Sequence, residues 1–365
     1  MEYVQERVTT LHDLTGPVPD APTDRAAVVV PMTEREYAGL AAERVLSELE
    51  RVDPARVVVP LRAPAEKAGR FREWLTEFDL PIEVLWCDGP RVADALAEHG
   101  LDGPRGKGRD VWLALGRAAA EKYVVVHDAD TKTYGRSYVS RLLFPLARGY
   151  DFSKGYYARV EDGRLYGRLF RLFYAPLVRA LADAHPAPFL RYLDSFRYAL
   201  AGEFAATSEV ARRIRAPRSW GLEVGTLGDA FDAAGFDGTA QVDLGAYEHD
   251  HRAVGGPTGL SDMSRSVGET LLRCVTERGV EPDFATLPAR YRETARRLVD
   301  QYAADAAFNG LRFDRESERE QVEVYADAVC DPGPADDRLP AWTETDVDPD
   351  AVAECARADL REASE

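Results

Sequence analysis

Short runs of consecutive apolar residues alternate along this chain with longer stretches whose apolar residues recur at helical spacing. Ala26–Val30, Val57–Leu61, Ile82–Trp86 and Tyr123–Val126 are the runs, and each reads as a strand. Strands covered on both faces lose the polar alternation of a half-exposed one, so these runs predict a buried sheet. Between them, apolar stripes predict helices reaching about Arg51, over Glu66–Phe78, over Val92–Glu98 and over Asp110–Ala120. Thr33 and Glu36 have capping-box spacing ahead of the first. Strands and helices alternating at this pitch predict βαβ units, hence an α/β fold with a Rossmann-like, mostly parallel sheet flanked by helices.

Beyond the fourth run, Tyr138–Ala147 predicts a helix and Ser153–Val160 alternates as a strand that turns back at Asp162-Gly163. The aromatic-rich stretch Leu169–Leu181 belongs to a core, Ser208–Ile214 to a helix and Ala240–Ala246 to another strand. Ser261–Val275, Tyr291–Ala307 and Glu316–Ala328 are amphipathic, and predict a helical subdomain that covers the sheet or forms a homodimer contact. The expected division is an N-terminal arm (1–24), an α/β domain (25–255), the helical subdomain (256–330) and an acidic tail (331–365). That tail is rich in Asp, Pro and Gly, and predicts loose packing apart from a helix over Ala351–Leu360.

A chain of 365 residues, 45% of them hydrophobic, is ample for a buried core. Its formal charge of −17, and its five lysines against 41 arginines, suit a protein kept soluble in very high salt. The same charge argues against a general nucleic-acid binder. The four cysteines are widely spaced, matching neither a zinc ribbon nor a disulfide scaffold, which points to a reduced cytoplasm. No secretory leader is evident, and no stretch approaches the roughly 20 apolar residues of a membrane span.

The candidate chemistry begins where Tyr123–Val126 ends, at His127-Asp128-Ala129-Asp130. The carboxyl edge of an open α/β sheet is where ligands bind. Asp-x-Asp there can offer oxygen ligands to a hard divalent cation, with nucleotide phosphates completing the shell. A loop cap is the ordinary alternative. Gly106-Lys107-Gly108 lies in a Gly/Pro/Arg-rich loop that reads as a mobile charged turn or as one that approaches phosphate, and no Walker pattern surrounds it. Arg168 is an anion-ligand candidate or a structural arginine. Glu223, in Gly221-Leu222-Glu223-Val224-Gly225, and Glu203 are carboxylates in apolar surroundings, each functional or salt-bridged to an arginine. His249 and His251 follow a strand, and imidazole plus distant carboxylates makes a plausible Mn²⁺ or Mg²⁺ site.

Taken together, these stretches resemble retaining GT-A glycosyltransferases, and more narrowly the glucosyl-3-phosphoglycerate synthases, with mannosyl-3-phosphoglycerate synthases related in kind. The resemblance spans roughly Ala26 to Arg273. It rests on the order of Gly106–Gly108, Asp128–Asp130, Gly202–Thr207 (GEFAAT), Gly221–Gly225 and Gln241–Gly245 ending near His249. It implies a GT-A fold that takes an NDP-sugar donor and a small anionic acceptor, most simply 3-phosphoglycerate, with Mn²⁺ or Mg²⁺. By resemblance, Pro31 would sit against the base, Lys107 would belong to the donor pocket, and Asp128 would contact the nucleotide. Asp130 and His249 would hold the metal, and Glu223 would approach the reacting centre. Gly167 and Arg168 would form the acceptor loop, where Arg168 could bind the phosphate or carboxylate of phosphoglycerate, and His251 would join them in binding the acceptor.

The acceptor loop departs from the family's Gly-Arg-Val-Thr-Glu, reading Gly167-Arg168-Leu169-Phe170-Arg171, and His251 stands at the family's asparagine position. Donor chemistry is therefore expected to be intact, while acceptor identity stays open. The competing readings are nucleotidyl transfer to a sugar phosphate and a nonenzymatic sugar-nucleotide or glycan binder.

Overall fold

The structure, a computed structural model, describes residues 6–14, 16–218, 220–248, 250 and 257–364. The strands are β1 (Thr9–Leu11), β2 (Ala26–Val29), β3 (Met32–Thr33), β4 (Arg56–Arg62), β5 (Ile82–Trp86), β6 (Tyr123–Val126), β7 (Phe152–Ala158), β8 (Val160–Glu161), β9 (Arg164–Leu165), β10 (Phe204–Thr207) and β11 (Thr239–Ala246). All but β8 and β9 join one sheet, ordered β1-β11-β7-β10-β6-β2-β4-β3, with β5 on β4. β10 runs antiparallel to both of its neighbours, β6 and β7, and the other pairs are parallel. This is the predicted mostly parallel sheet.

The continuous apolar runs have a direct cause. Val124 and Val126 point into one hydrophobic layer while Tyr123 and Val125 point into the other, and Val58 is likewise opposed to Val57 and Val59. Both faces of each strand are thus covered. Full burial of such a side chain contributes about 1.5–3 kcal/mol relative to exposure. The Thr33–Glu36 capping box is present, but it caps a separate 3₁₀ turn at Glu34–Glu36, and the long helix α1 starts later, at Leu40–Glu50.

α2 (Ala65–Leu75), α3 (Pro90–Glu98), α4 (Lys107–Ala118) and α5 (Ser137–Ala147) alternate with the first strands. A π-helical turn, Leu169–Tyr174, runs into α6 (Ala175–Ala182), followed by α7 (Pro188–Leu193), α8 (Ser208–Arg213) and α9 (Leu222–Ala234). α10 (Pro257–Glu277), α11 (Leu287–Phe308) and α12 (Arg315–Ala326) form the expected helical region. It shares a core with the sheet: Phe173 packs edge to face on Tyr291 and against Tyr325, all within the hydrophobic layer that holds Val124.

Both ends of the chain pack more firmly than the sequence suggests. The N-terminal arm contributes β1, which pairs with β11 from Thr9 to Leu11. The expectation of a loosely packed C-terminal tail is corrected. Trp342 stacks on Trp112 at 4.1 Å between centroids, and each indole N–H donates to a backbone carbonyl across the contact. α13 (Pro349–Glu362) then packs against α3 and β5, where Arg91 pairs with the buried Asp359 at 2.8 Å. Composition misled here because a few apolar residues, Leu339, Ala341, Trp342, Val347, Val352 and Leu360, do the burying while the acidic ones other than Asp359 face outward.

Candidate active site

Asp128 lies two residues beyond Val126 of β6, and Pro31 two residues beyond Val29 of β2, its paired neighbour. Both therefore reach the same carboxyl edge of the sheet. Lys107 begins α4 rather than lying in a free loop. Gly108 explains its placement: a Cβ there would fall 1.7 Å from the Pro217 carbonyl oxygen, and Arg109 N–H donates to Arg218 O at 3.1 Å. The reading of this motif as a mobile charged turn is corrected, since Lys107 opens a helix and Gly108 is needed for contact with the chain itself.

That contact brings two distant segments together. A few residues after Pro217, Gly221 adopts a left-handed φ of 99° and starts α9, with Glu223 in its first turn. The Lys107 ammonium consequently stands 2.6 Å from Asp128 and 3.3 Å from Glu223. Burial pulls this ammonium's pKa down, but the two carboxylates more than offset it and hold the group well above the ordinary lysine value. Lys107 is a permanent cation between two carboxylates.

Two further charged residues lie beneath. Glu203, immediately before β10, and Lys154, on β7, are fully buried, and Lys154 Nζ donates to the Ala201 carbonyl. Burial pushes Glu203 up to about 8, helped by the charge of Asp128 and resisted by Lys107 and Lys154. Burial draws Lys154 down to about 8, resisted by Glu223 and Glu203. Gly202 touches Asp128 so closely that a Cβ would fall 2.4 Å from its Oδ2. In the sequence Glu203 stands out only as a carboxylate in apolar surroundings, and the one signal of Lys154 is that a lysine, one of only five, sits on a central strand.

Asp130 is half-buried, and its carboxyl is pushed up to about 7 by burial and then by the negative charge of Asp128. Excess negative charge on hard oxygen donors suits a divalent cation, so the residues present fit Mn²⁺ or Mg²⁺. Among the described residues no three ligand-type side chains converge. His249 and His251 lie outside the described residues. The chain on either side of position 249 follows the Asp130 loop: Asp250 N–H donates to Asp130 O, and Lys132 N–H to Glu248 O, both at 2.9 Å.

From this loop a wall of tyrosines leads to Gly167. Thr131 donates to the Tyr247 hydroxyl at 3.1 Å, Tyr247 stacks on Tyr157 at 3.9 Å, and Tyr157 meets Tyr198 at 5.1 Å. Gly167, with φ 79°, packs on the Tyr198 ring. Arg168, at the end of this wall, donates to Glu318 and Ser317 of α12 at 2.7 and 3.2 Å.

The chain is 35% identical to the glucosyl-3-phosphoglycerate synthase of Methanococcoides burtonii, over 94% of this chain and 93% of that protein. The chain belongs to the glucosyl-3-phosphoglycerate synthase family. The synthase of Persephonella marina is 38% identical over 83% of this chain and 79% of that protein. No protein-family model matches. Among solved structures, the Mycobacterium tuberculosis synthase with Mg²⁺ and UDP shares the fold at TM-score 0.56 and 26% identity, covering 76% of this chain and 88% of that one. The same enzyme with Mn²⁺, UDP-glucose and phosphoglyceric acid gives 0.57 and 24%, covering 76% and 89%. The family is one of glycosyltransferases, and the fold is GT-A.

Two departures of Gly167–Arg171 from the family's pattern have structural causes. Arg171 is buried and pairs with Glu318 at 2.9 Å, so its reversed charge matches a carboxylate on α12. Phe170 packs on Tyr174 and Tyr198, as a ring of the aromatic wall. Arg168 shares the same Glu318 carboxylate through its Nε.

Proposed function

We propose that this chain transfers a glucosyl group, with retention, from a nucleoside diphosphate glucose to 3-phosphoglycerate in a reaction that depends on Mn²⁺ or Mg²⁺. The observation that carries this reading is Lys107 clamped between Asp128 and Glu223 at the carboxyl edge of the sheet, in a chain similar over its length to named synthases. Pro31 and Asp128 would receive the nucleotide, with Lys107 lending its charge to the donor pocket. Asp130 and His249 would hold the cation, which when bound offsets charge on the departing diphosphate.

The chain's own groups do the rest. The bond between the sugar's anomeric carbon and the diphosphate oxygen breaks, and the acceptor hydroxyl oxygen bonds that carbon from the same face. Its proton passes to the departing diphosphate oxygen, so no side-chain nucleophile is required. Glu223, fixed by Lys107 and by the first turn of α9, orients the sugar and faces the positive charge that develops on it. The tyrosine wall keeps water from the acceptor side.

Purified protein in high-salt buffer, offered UDP- and GDP-glucose and -mannose with Mn²⁺ or Mg²⁺, tests this. Nucleotide release that needs 3-phosphoglycerate, is matched by glucosylphosphoglycerate and stops on chelation is expected. Pyrophosphate release from nucleoside triphosphate and sugar phosphate would instead establish nucleotidyl transfer, and binding without turnover would establish a sensor. Asp130→Asn and His249→Ala are expected to depress turnover more than stability.

We place the protein in a reduced, salt-rich cytoplasm. The four cysteines are unpaired, and no helix among the described residues is long and apolar enough to cross a membrane. A homodimer through the α10–α12 region is the assembly we infer, and sedimentation in molar salt tests it.

A further inference from the structure

An anionic acceptor must enter a cleft that already holds Asp128, Asp130 and Glu223, so a cation has to receive it. The described cations around the cleft are nearly all committed. Lys107 is held by Asp128 and Glu223, Lys154 is buried beneath and bonded to Ala201 O, and Lys132 lies 4.0 Å from Asp250. Arg168 is tied to Glu318 and Ser317, and Arg171 is buried on the same carboxylate.

Arg159 differs. It follows β7 and lies against the tyrosine wall, midway between the Asp130 loop and the Gly167 loop. Its guanidinium stands 5.7 Å from the Tyr247 ring centroid, and Nη1 donates to the Tyr198 hydroxyl at 3.3 Å. Its Nε is buried with no hydrogen-bond partner, and no carboxylate pairs with it among the described residues. The main chain beside it is fixed as well, with Tyr247 N–H donating to Ala158 O at 3.0 Å and Tyr166 N–H to Arg159 O at 2.9 Å, and Tyr198 packs on Tyr157 at 5.1 Å. A guanidinium fixed by aromatic faces, with an N–H unsatisfied and no counter-charge, is a preorganised oxyanion ligand.

We propose that Arg159 is the residue that binds an oxyanion of the acceptor, its phosphate or carboxylate, and so determines acceptor specificity. The inference rests on the proposed transfer to a small anionic acceptor. It accounts for a loop whose own arginine is directed toward α12. An anion on Arg159 would lie beside Tyr247, whose hydroxyl is bonded to Thr131 of the metal-side loop, bringing the acceptor toward the donor.

Steady-state kinetics with 3-phosphoglycerate and UDP-glucose, on wild type, Arg159→Met and Arg159→Lys, tests the inference. Arg159→Met is expected to raise KM for the acceptor 10- to 100-fold while KM for UDP-glucose stays within twofold. Arg159→Lys keeps the charge but loses the fork, and is expected to fall between. Glycerol 3-phosphate, which lacks the carboxylate, separates the two anions: a loss of its inhibition in Arg159→Met assigns the phosphate, and retained inhibition assigns the carboxylate. An acceptor KM unchanged in both variants would overturn the inference while leaving the transfer reaction standing. A wild type that ignores 3-phosphoglycerate would overturn the functional reading instead. Near-wild-type melting of Arg159→Lys guards against a merely unfolded variant.

Discussion

Arg168 donates through Nε to Glu318 at 2.7 Å, and this carboxylate is shared with Arg171. The two arginines lie on one π-helical turn and its entry, while Glu318 lies on α12, far along the chain. The Gly167–Arg171 segment is thereby anchored to the helical region. Replacing Glu318 by Gln leaves the buried Arg171 without its counter-charge, which is expected to cost about 3–5 kcal/mol of stability. Urea unfolding measures it. The double variant Glu318→Leu/Arg171→Met is expected to recover most of that loss, because removing both buried charges avoids the unpaired one.

In the proposed reaction, Lys107 supplies the donor-side electrostatics. Lys107→Met leaves Asp128 and Glu223 facing each other without their cation, and is expected to lower kcat/KM by about 10²–10³-fold. Lys107→Arg should rescue little, since a planar fork does not fit where a compact ammonium touches both carboxylates. Acceptor-dependent nucleotide release reads the effect, and a circular dichroism melt confirms that the variants are folded.

The C-terminal segment is part of the core. Trp342→Ala removes the stack on Trp112 and leaves the space above Gly116, where a Cβ would already fall 2.5 Å from the indole. Loss of such a buried aromatic side chain is expected to cost about 3–5 kcal/mol. A tail that merely trailed in solvent would give a midpoint in denaturant equal to wild type.

His127 should make the fold acid-sensitive. It is fully buried against Tyr134 at 5.1 Å, and neither ring nitrogen has a hydrogen-bond partner among the described residues. Burial lowers its pKa from 6.5 to about 3, against the opposing charge of Asp128. The unfolded chain therefore binds a proton that the native state refuses. This contribution is fully present above 6.5 and is lost as pH falls toward 3, with a slope approaching about 1.4 kcal/mol per pH unit. His127→Phe, which keeps the ring packing, is expected to flatten stability against pH in that window. Denaturant titrations at a series of pH values, wild type against variant, would refute this if the two curves stayed parallel.

The sheet was legible in the chain because its strands are covered on both faces, and burial writes itself into sequence as unbroken apolar runs. Tyr123–Val126 and Ile82–Trp86 came out residue for residue, and the order of motifs was enough to recognise the family. The sequence by itself also determined that Asp128 and Asp130 would emerge at a sheet edge, since they follow a central strand. What only the tertiary structure decided are the pairings between segments far apart. Nothing local says that Gly108 is reserved for Pro217, that Lys107 therefore meets Glu223, or that Arg168 belongs to Glu318. Nor does composition distinguish a loose acidic tail from one whose few apolar residues, Trp342 foremost, are buried. Periodicity records how exposed each residue is, whereas a charge's partner is set by which elements the fold brings within a few ångströms.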